Sequence, residues 1–253
     1  MSSSQRLLRP RASGFNPKSI TGLKIWLDVA NSGSLTRNGS AVSQINDLSG
    51  NGFHATQTTA NNQPTYQATG FNGKPTLYFD TTDSLLSSAT IADYFLTPTT
   101  SPTFTLIMAC YSPLAADGGQ IAFGSDAQSG GRVLFANNFG GQAGNTLFDI
   151  VNASGGRISA SITQPTATPH IMTFYRHGAS MGFRVDGVTL ASKANASGNF
   201  SVTSAKLQIG KCDAVSGSTM YMSESYVYAA ALSASDLAKA ERGLGKKWGV
   251  TVA

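Results

Sequence analysis

Glycoside hydrolysis needs two carboxyl groups flanking one bond, one acting as acid and the other as base or nucleophile. This chain holds only two glutamates, Glu224 and Glu241. Glu224 falls in a strand-like stretch with no acid at positions 222 or 226, so no partner stands on its face. Asp80 and Asp83 are close in sequence but read as turn residues at a strand end. A nucleophilic site fares no better. The three histidines are His54, His170 and His177, and no Gly-x-Ser-x-Gly elbow accompanies them. Each histidine is expected to be structural or superficial. Calcium wants six to eight oxygens, usually with several carboxylates among them. Asp117, Asp126 and Asp213 sit one per loop among Gly, Ser and Ala, so they read as solvated turn residues. Cys110 and Cys212 make no zinc motif. Cys110 lies in the apolar run Phe-Thr-Leu-Ile-Met-Ala-Cys-Tyr and reads as a buried reduced thiol. No catalytic residue, cofactor or metal is expected.

Binding remains. Sugar-binding surfaces combine an aromatic ring with a few oriented polar groups. Tyr94, Phe95, Phe139 and Tyr221 are the candidate glycan contacts, although core packing accounts for each equally well. Trp26 and Trp248 are assigned to the core. Asn-x-Ser sequons at Asn38, Asn152, Asn195 and Asn199 are what chance gives in a chain this rich in Asn, Ser and Thr.

The elements that must position such residues are strands. The chain has 253 residues, 41% hydrophobic and 12% charged, with 27 glycines. That is enough apolar matter for a core and too little charge for a disordered chain. Runs such as Leu23 to Leu27, Thr76 to Phe79, Phe104 to Tyr111, Thr146 to Val151, His170 to Arg176 and Tyr221 to Tyr228 are separated by turn clusters. Many short strands with glycine-rich connections predict a sandwich or jelly roll. One helix is expected, near the end. Ser233 is its N-cap with Asp236 three residues on, and Leu237, Ala240, Leu244 and Trp248 share one face. Gly243 and Gly245 weaken it as a free helix. No apolar run approaches the roughly 18 residues of a membrane span.

The net charge is +5, but five bases and no acid fall in the first 24 residues. The remainder is formally neutral, which argues against nucleic acid as the partner of the body. Residues 1–21 read as an extended basic arm, and 22–253 as one domain. The start lacks the apolar segment of a secretory signal, so synthesis and folding in a cytoplasm are expected.

The phrases of the C-terminal half form a connected set. His170-Ile-Met-Thr-Phe leads to Phe183-Arg-Val-Asp-Gly187. Leu207-Gln-Ile-Gly210 follows, then Glu224-Ser-Tyr-Val-Tyr228 and Ala231-Leu-Ser233. The N-terminal half adds Ile25-Trp-Leu-Asp28, Asp47-Leu-Ser-Gly-Asn-Gly52 and Asn72-Gly-Lys-Pro75. Lys247-Trp-Gly249 closes the set. Together they resemble the laminin-G-like and pentraxin-like branch of the concanavalin A-like lectin/glucanase superfamily, in particular its bacteriophage virion members. The resemblance implies an all-β jelly roll of two antiparallel sheets with one C-terminal helix. It implies a non-enzymatic virion protein: a capsid decoration, head fibre or tail accessory present in many copies or as a homo-oligomer. Such a particle assembles in the host cytoplasm and leaves by lysis. Arg6, Leu7, Leu8, Arg9 and Arg11 are expected to dock the arm onto other virion proteins. The alternative is a lectin-like adhesion module for host-surface glycans. Neither nucleic acid nor membrane is an expected partner.

Overall fold

The computed structural model describes residues 14–95, 103–113, 123–125, 133–137, 145–151, 157–163, 167–194, 204–211 and 219–253. The strands are β1 (Leu23–Asp28), β2 (Leu35–Asn38), β3 (Ala41–Ile45), β4 (Ala55–Thr56), β5 (Thr65–Phe71), β6 (Lys74–Phe79) and β7 (Ser84–Thr90). After the single-turn helix α1 (Ile91–Tyr94) come β8 (Thr103–Tyr111), β9 (Phe123–Ser125), β10 (Val133–Asn137), β11 (Asn145–Val151) and β12 (Arg157–Thr163). The chain continues with β13 (His170–His177), β14 (Ser180–Val185), β15 (Val188–Lys193), β16 (Lys206–Gly210), β17 (Met220–Tyr228) and helix α2 (Ala234–Trp248).

Antiparallel pairing sorts these strands into two layers. The first runs β5-β6-β17-β8-β13-β14-β15. There β1 continues the β6 edge, pairing with the second half of β17. The second layer runs β2-β3-β4-β7-β16-β9-β10-β11-β12. A bridge from Ala41 to Thr65 links the layers. This is a jelly-roll β-sandwich with a C-terminal helix, as the sequence pattern predicts. Strands β2 to β5, β7, β9 and β15 and helix α1 went unread; in β7, Ser84-Leu-Leu-Ser-Ser-Ala-Thr90 carries little bulk to announce a strand.

Between the layers lies an apolar core. Leu77, Phe79, Met108, Met172 and Phe174 of the first layer meet Val42, Leu85, Phe135, Phe148 and Ile209 of the second. A second cluster sits on the far side of the first layer. There Ile107, Ala109, Ile171, Tyr226 and Tyr228 pack under Leu237, Ala240, Leu244 and Trp248 of α2. The first layer is therefore buried on both faces where the helix crosses it.

Local chemistry fixes the connections. Val185 pairs with Val188, leaving a two-residue turn of Asp186 and Gly187 at φ 49° and 84°. Positive φ at both positions is what a type I′ hairpin requires. In the turn after β3, the Asp47 carboxylate accepts the backbone N–H groups of Trp26, Ser49 and Phe53 and the Ser49 hydroxyl. Helix α2 starts at Ser233, whose Oγ accepts from Asp236 N at 3.1 Å, and stops at Gly249 in the left-handed region. Gly243 also serves a contact: a Cβ there would lie 2.4 Å from the Phe15 ring.

Candidate functional site

An extra residue in β17 decides the chemistry of the helix-covered face. Met222 pairs with Cys110 and Glu224 with Ala109, so Ser223 is a β-bulge. Strand side chains alternate between faces. Without the bulge Glu224 would follow Met222 into the apolar core. With it, Glu224 turns outward beneath α2 and is 1% exposed.

Four donors meet that carboxylate. Oε1 accepts from Trp26 Nε1 at 2.8 Å and from the Tyr226 hydroxyl at 2.9 Å. Oε2 accepts from Trp248 Nε1 at 2.7 Å and faces Lys247 Nζ at 2.5 Å. Lys247 also bridges to Asp28 Oδ2 at 2.7 Å. Burial, helped by Asp28, pushes the Glu224 carboxyl above its ordinary value, while Lys247 and Trp248 pull against that rise. One side chain thus ties β1, β17 and α2 together.

The second glutamate is fastened in the same manner. Glu241 accepts from Thr173 Oγ1 at 2.8 Å and takes a two-point grip from Arg184, at 2.8 Å from Nε and 3.0 Å from Nη2. The helical stripe read from Leu237, Ala240, Leu244 and Trp248 is buried as expected, and Glu241 lies within it. Its role was missed because nothing near it in sequence announces Arg184. Both glutamates therefore hold the helix to the sheet.

The histidines are each bonded. His54 Nδ1 accepts the Asp47 N–H at 3.0 Å, which leaves the ring hydrogen on Nε2. His170 Nδ1 lies 2.7 Å from Asp186 Oδ2. His177 Nε2 lies 3.1 Å from Thr105 Oγ1, and burial lowers its pKa. Cys110 is a free thiol in the interlayer core, raised in pKa by burial. Among the described residues no three His, Cys, Asp or Glu side chains converge on a metal position. Asp117, Asp126, Asp213 and Cys212 lie outside the described residues, as does Phe139.

Of the other aromatic candidates, Tyr94 and Phe95 are 2% and 4% exposed and pack with Phe104 in the core. They present no ring face to solvent. Tyr221 is half-buried on the outer face. It pairs across the sheet with Tyr78 and Tyr111. The Tyr111 ring stacks on it at 4.5 Å and 4°, and Tyr78 flanks it at 5.0 Å. Phe71 and Trp248 continue the row toward the end of α2. Both faces of Tyr221 are thus occupied by neighbours. The Tyr111 hydroxyl donates to the Gly70 carbonyl at 3.1 Å, which leaves the half-buried Tyr78 and Tyr221 to meet solvent.

Arg6, Leu7, Leu8, Arg9 and Arg11 lie outside the described residues, but the chain that follows them does not. Phe15 rests on Gly243 and is tilted against Tyr226 at 6.1 Å. Pro17 is buried and its carbonyl accepts from the Tyr228 hydroxyl at 3.2 Å. Ile20 is 4% exposed. Beside Phe15 opens a groove of about 480 Å³ bounded by Arg242, Gly243, Lys246 and Lys247.

The fold and these surfaces define a β-sandwich with a helix locked to one layer. No family model matches the chain, and no curated protein matches it. Solved structures do. The binding domain of Paraclostridial Mosquitocidal Protein 1 aligns with a TM-score of 0.66 at 13% identity, over 93% of this chain and 56% of that one. The botulinum neurotoxin serotype G binding domain gives 0.66 at 7% identity, over 90% and 54%. The receptor binding domain of the botulinum neurotoxin C/D mosaic serotype gives 0.62 at 11% identity, over 88% and 51%. The chain spans about half the length of each. At such identities the likeness establishes a shared sandwich fold. No helix among the described residues is long and apolar enough to cross a membrane.

Proposed function

We propose that the chain is a non-enzymatic binding module of a bacteriophage virion, a capsid decoration, head fibre or tail accessory. In this reading its first residues dock it onto a larger assembly and its sandwich faces outward. The observation that carries the reading is the fastening of residues 14–20. Phe15, Pro17 and Ile20 are seated against α2 and β17. A strap so fixed sets the point from which Arg11, Arg9, Leu8, Leu7 and Arg6 depart. A pull on the arm is then transmitted to the body. The similar structures named as binding domains support recognition rather than catalysis. So does the use of both glutamates as helix fasteners, which leaves neither free for acid–base chemistry.

Deleting residues 2–13 while keeping the strap tests this. Purified particles should lose the truncated protein on sedimentation, while its melting temperature stays that of the full chain. Unchanged association rejects the docking arm.

A second reading, a lectin-like adhesion module for host-surface glycans, is favoured by the tyrosine row. Tyr78, Tyr221 and Tyr111 hold hydroxyl-bearing rings in fixed register on an outer face. In this reading Tyr221 contacts glycan through its edge. A glycan array probed with the full chain, with and without Ca²⁺, decides it: binding that Tyr221→Ala removes supports the reading, and a blank array ends it.

A further inference from the structure

The 13 bases and 13 acids beyond residue 24 balance in number but not in place. On α2, Lys239, Arg242 and Lys246 are all exposed. Their spacing of three and four puts them on one side of the helix. The acids of the same helix are withdrawn from that side. Asp236 bonds the Ser233 cap, and Glu241 is buried on Arg184. Lys247 is spent inward on Asp28 and Glu224, whose charges are thereby also committed. The stripe therefore stands as a local concentration of positive charge, with Arg242 also reaching Ala253 O at 3.5 Å, while the acids that balance it in number lie elsewhere on the body.

The groove beside the stripe adds an apolar element. The Phe15 ring, half-buried on Gly243, forms its wall next to Arg242 and Lys246. The chain enters at Gly14, and Arg11, Arg9 and Arg6 precede it.

We propose that the α2 stripe and the Phe15 groove form a docking surface for an acidic segment of a partner protein that carries one apolar anchor residue. The proposal rests on the docking-arm reading above and adds the face and the chemistry of the partner. Charge complementarity selects an anion. The apolar wall selects a protein over nucleic acid, since phosphate neutralisation calls on bases alone. The tyrosine row and the second layer then remain for whatever the module meets outside.

The test uses the full chain and a fluorescent peptide of Asp and Glu residues with a single central leucine, alongside the same peptide with glycine in place of leucine. The leucine peptide should bind in a salt-sensitive manner. The exposed double variant R242Q/K246Q should bind it at least about tenfold more weakly at an unchanged melting temperature. Phe15→Ala should erase the difference between the two peptides. Where Phe15→Ala melts early, Phe15→Leu replaces it, and a reduced difference is expected. Equal binding by R242Q/K246Q and the parent overturns the proposal. So does tighter binding of a short duplex DNA than of the leucine peptide at matched salt. The two readings fail separately: particle association that survives deletion of residues 2–13 overturns the arm, whereas peptide binding that survives R242Q/K246Q overturns this face.

Discussion

Strand β17 is buried on both sides, and its two sides are built on opposite rules. Met220, Met222 and Val227 face the interlayer core among other apolar side chains. Glu224, Tyr226 and Tyr228 face α2, where each polar tip has a named partner. Apolar packing is non-directional and asks mainly for volume. Hydrogen bonds to a buried carboxylate ask for position as well, and a missing partner is costly. The inner side thus sets that the layers meet. The outer side sets where along the sheet the helix sits.

Near-isosteric substitutions on the two sides separate these rules. Glu224→Gln keeps the shape but turns an N–H₂ toward the Trp248 N–H or the Lys247 ammonium. It should destabilise the fold by about 3–5 kcal/mol in denaturant unfolding, because two of the donors then lose a charged acceptor, at about 1.5–3 kcal/mol each. A loss below about 1 kcal/mol would show that the outer side is as forgiving as the inner. Glu241→Gln is a weaker blow, because two side chains, Thr173 and Arg184, meet that carboxylate where four meet Glu224. A loss of about 1.5–3 kcal/mol is expected, the range for hydrogen bonds to charged groups. Met222→Leu on the inner side preserves volume and polarity. It should cost less than about 1.5 kcal/mol. A larger loss would mean that the core too demands exact shape.

The difference between the sides also explains what the sequence disclosed. Inner positions announce themselves by alternation and by runs such as Phe104 to Tyr111, so the sandwich was legible. The α2 stripe and its Ser233 cap were legible for the same reason: they are local. The carboxylate junction was not. Trp26, Glu224 and Trp248 lie far apart in the chain, and the bulge at Ser223 that joins them leaves no mark in composition. Glu224 drew attention only as half of a catalytic pair that had no second half. Tyr221 was legible as an aromatic near a strand start, but its place between Tyr78 and Tyr111 depends on register across three strands. The neutrality of the body was counted correctly. Its segregation onto one helical side needed the burial of Glu241 and the inward turn of Lys247 to be seen.

A carboxylate with fewer donors marks the lower limit of the outer rule. Asp83, at the turn between β6 and β7, is 5% exposed and accepts the Asp80 N–H at 3.0 Å. Burial raises its pKa to about 6, with the Asp80 charge adding to the rise and the Asp80 N–H opposing it. Its ordinary value is 3.8. Between those two values the folded chain holds the proton more tightly than the unfolded chain does. The stabilisation linked to Asp83 is therefore full below about pH 4 and falls as pH rises toward 6, with no further change above. Allowing for solvent screening at a strand end, the loss should be about 1 kcal/mol. Asp83→Asn cannot ionise and still accepts the Asp80 N–H through its carbonyl oxygen. Urea unfolding of parent and variant across pH 4 to 7 should show the variant gaining on the parent as pH rises. Parallel stability curves would show that the single Asp80 N–H is enough to offset burial at Asp83, and that one well-placed donor serves a carboxylate at the end of the sheet.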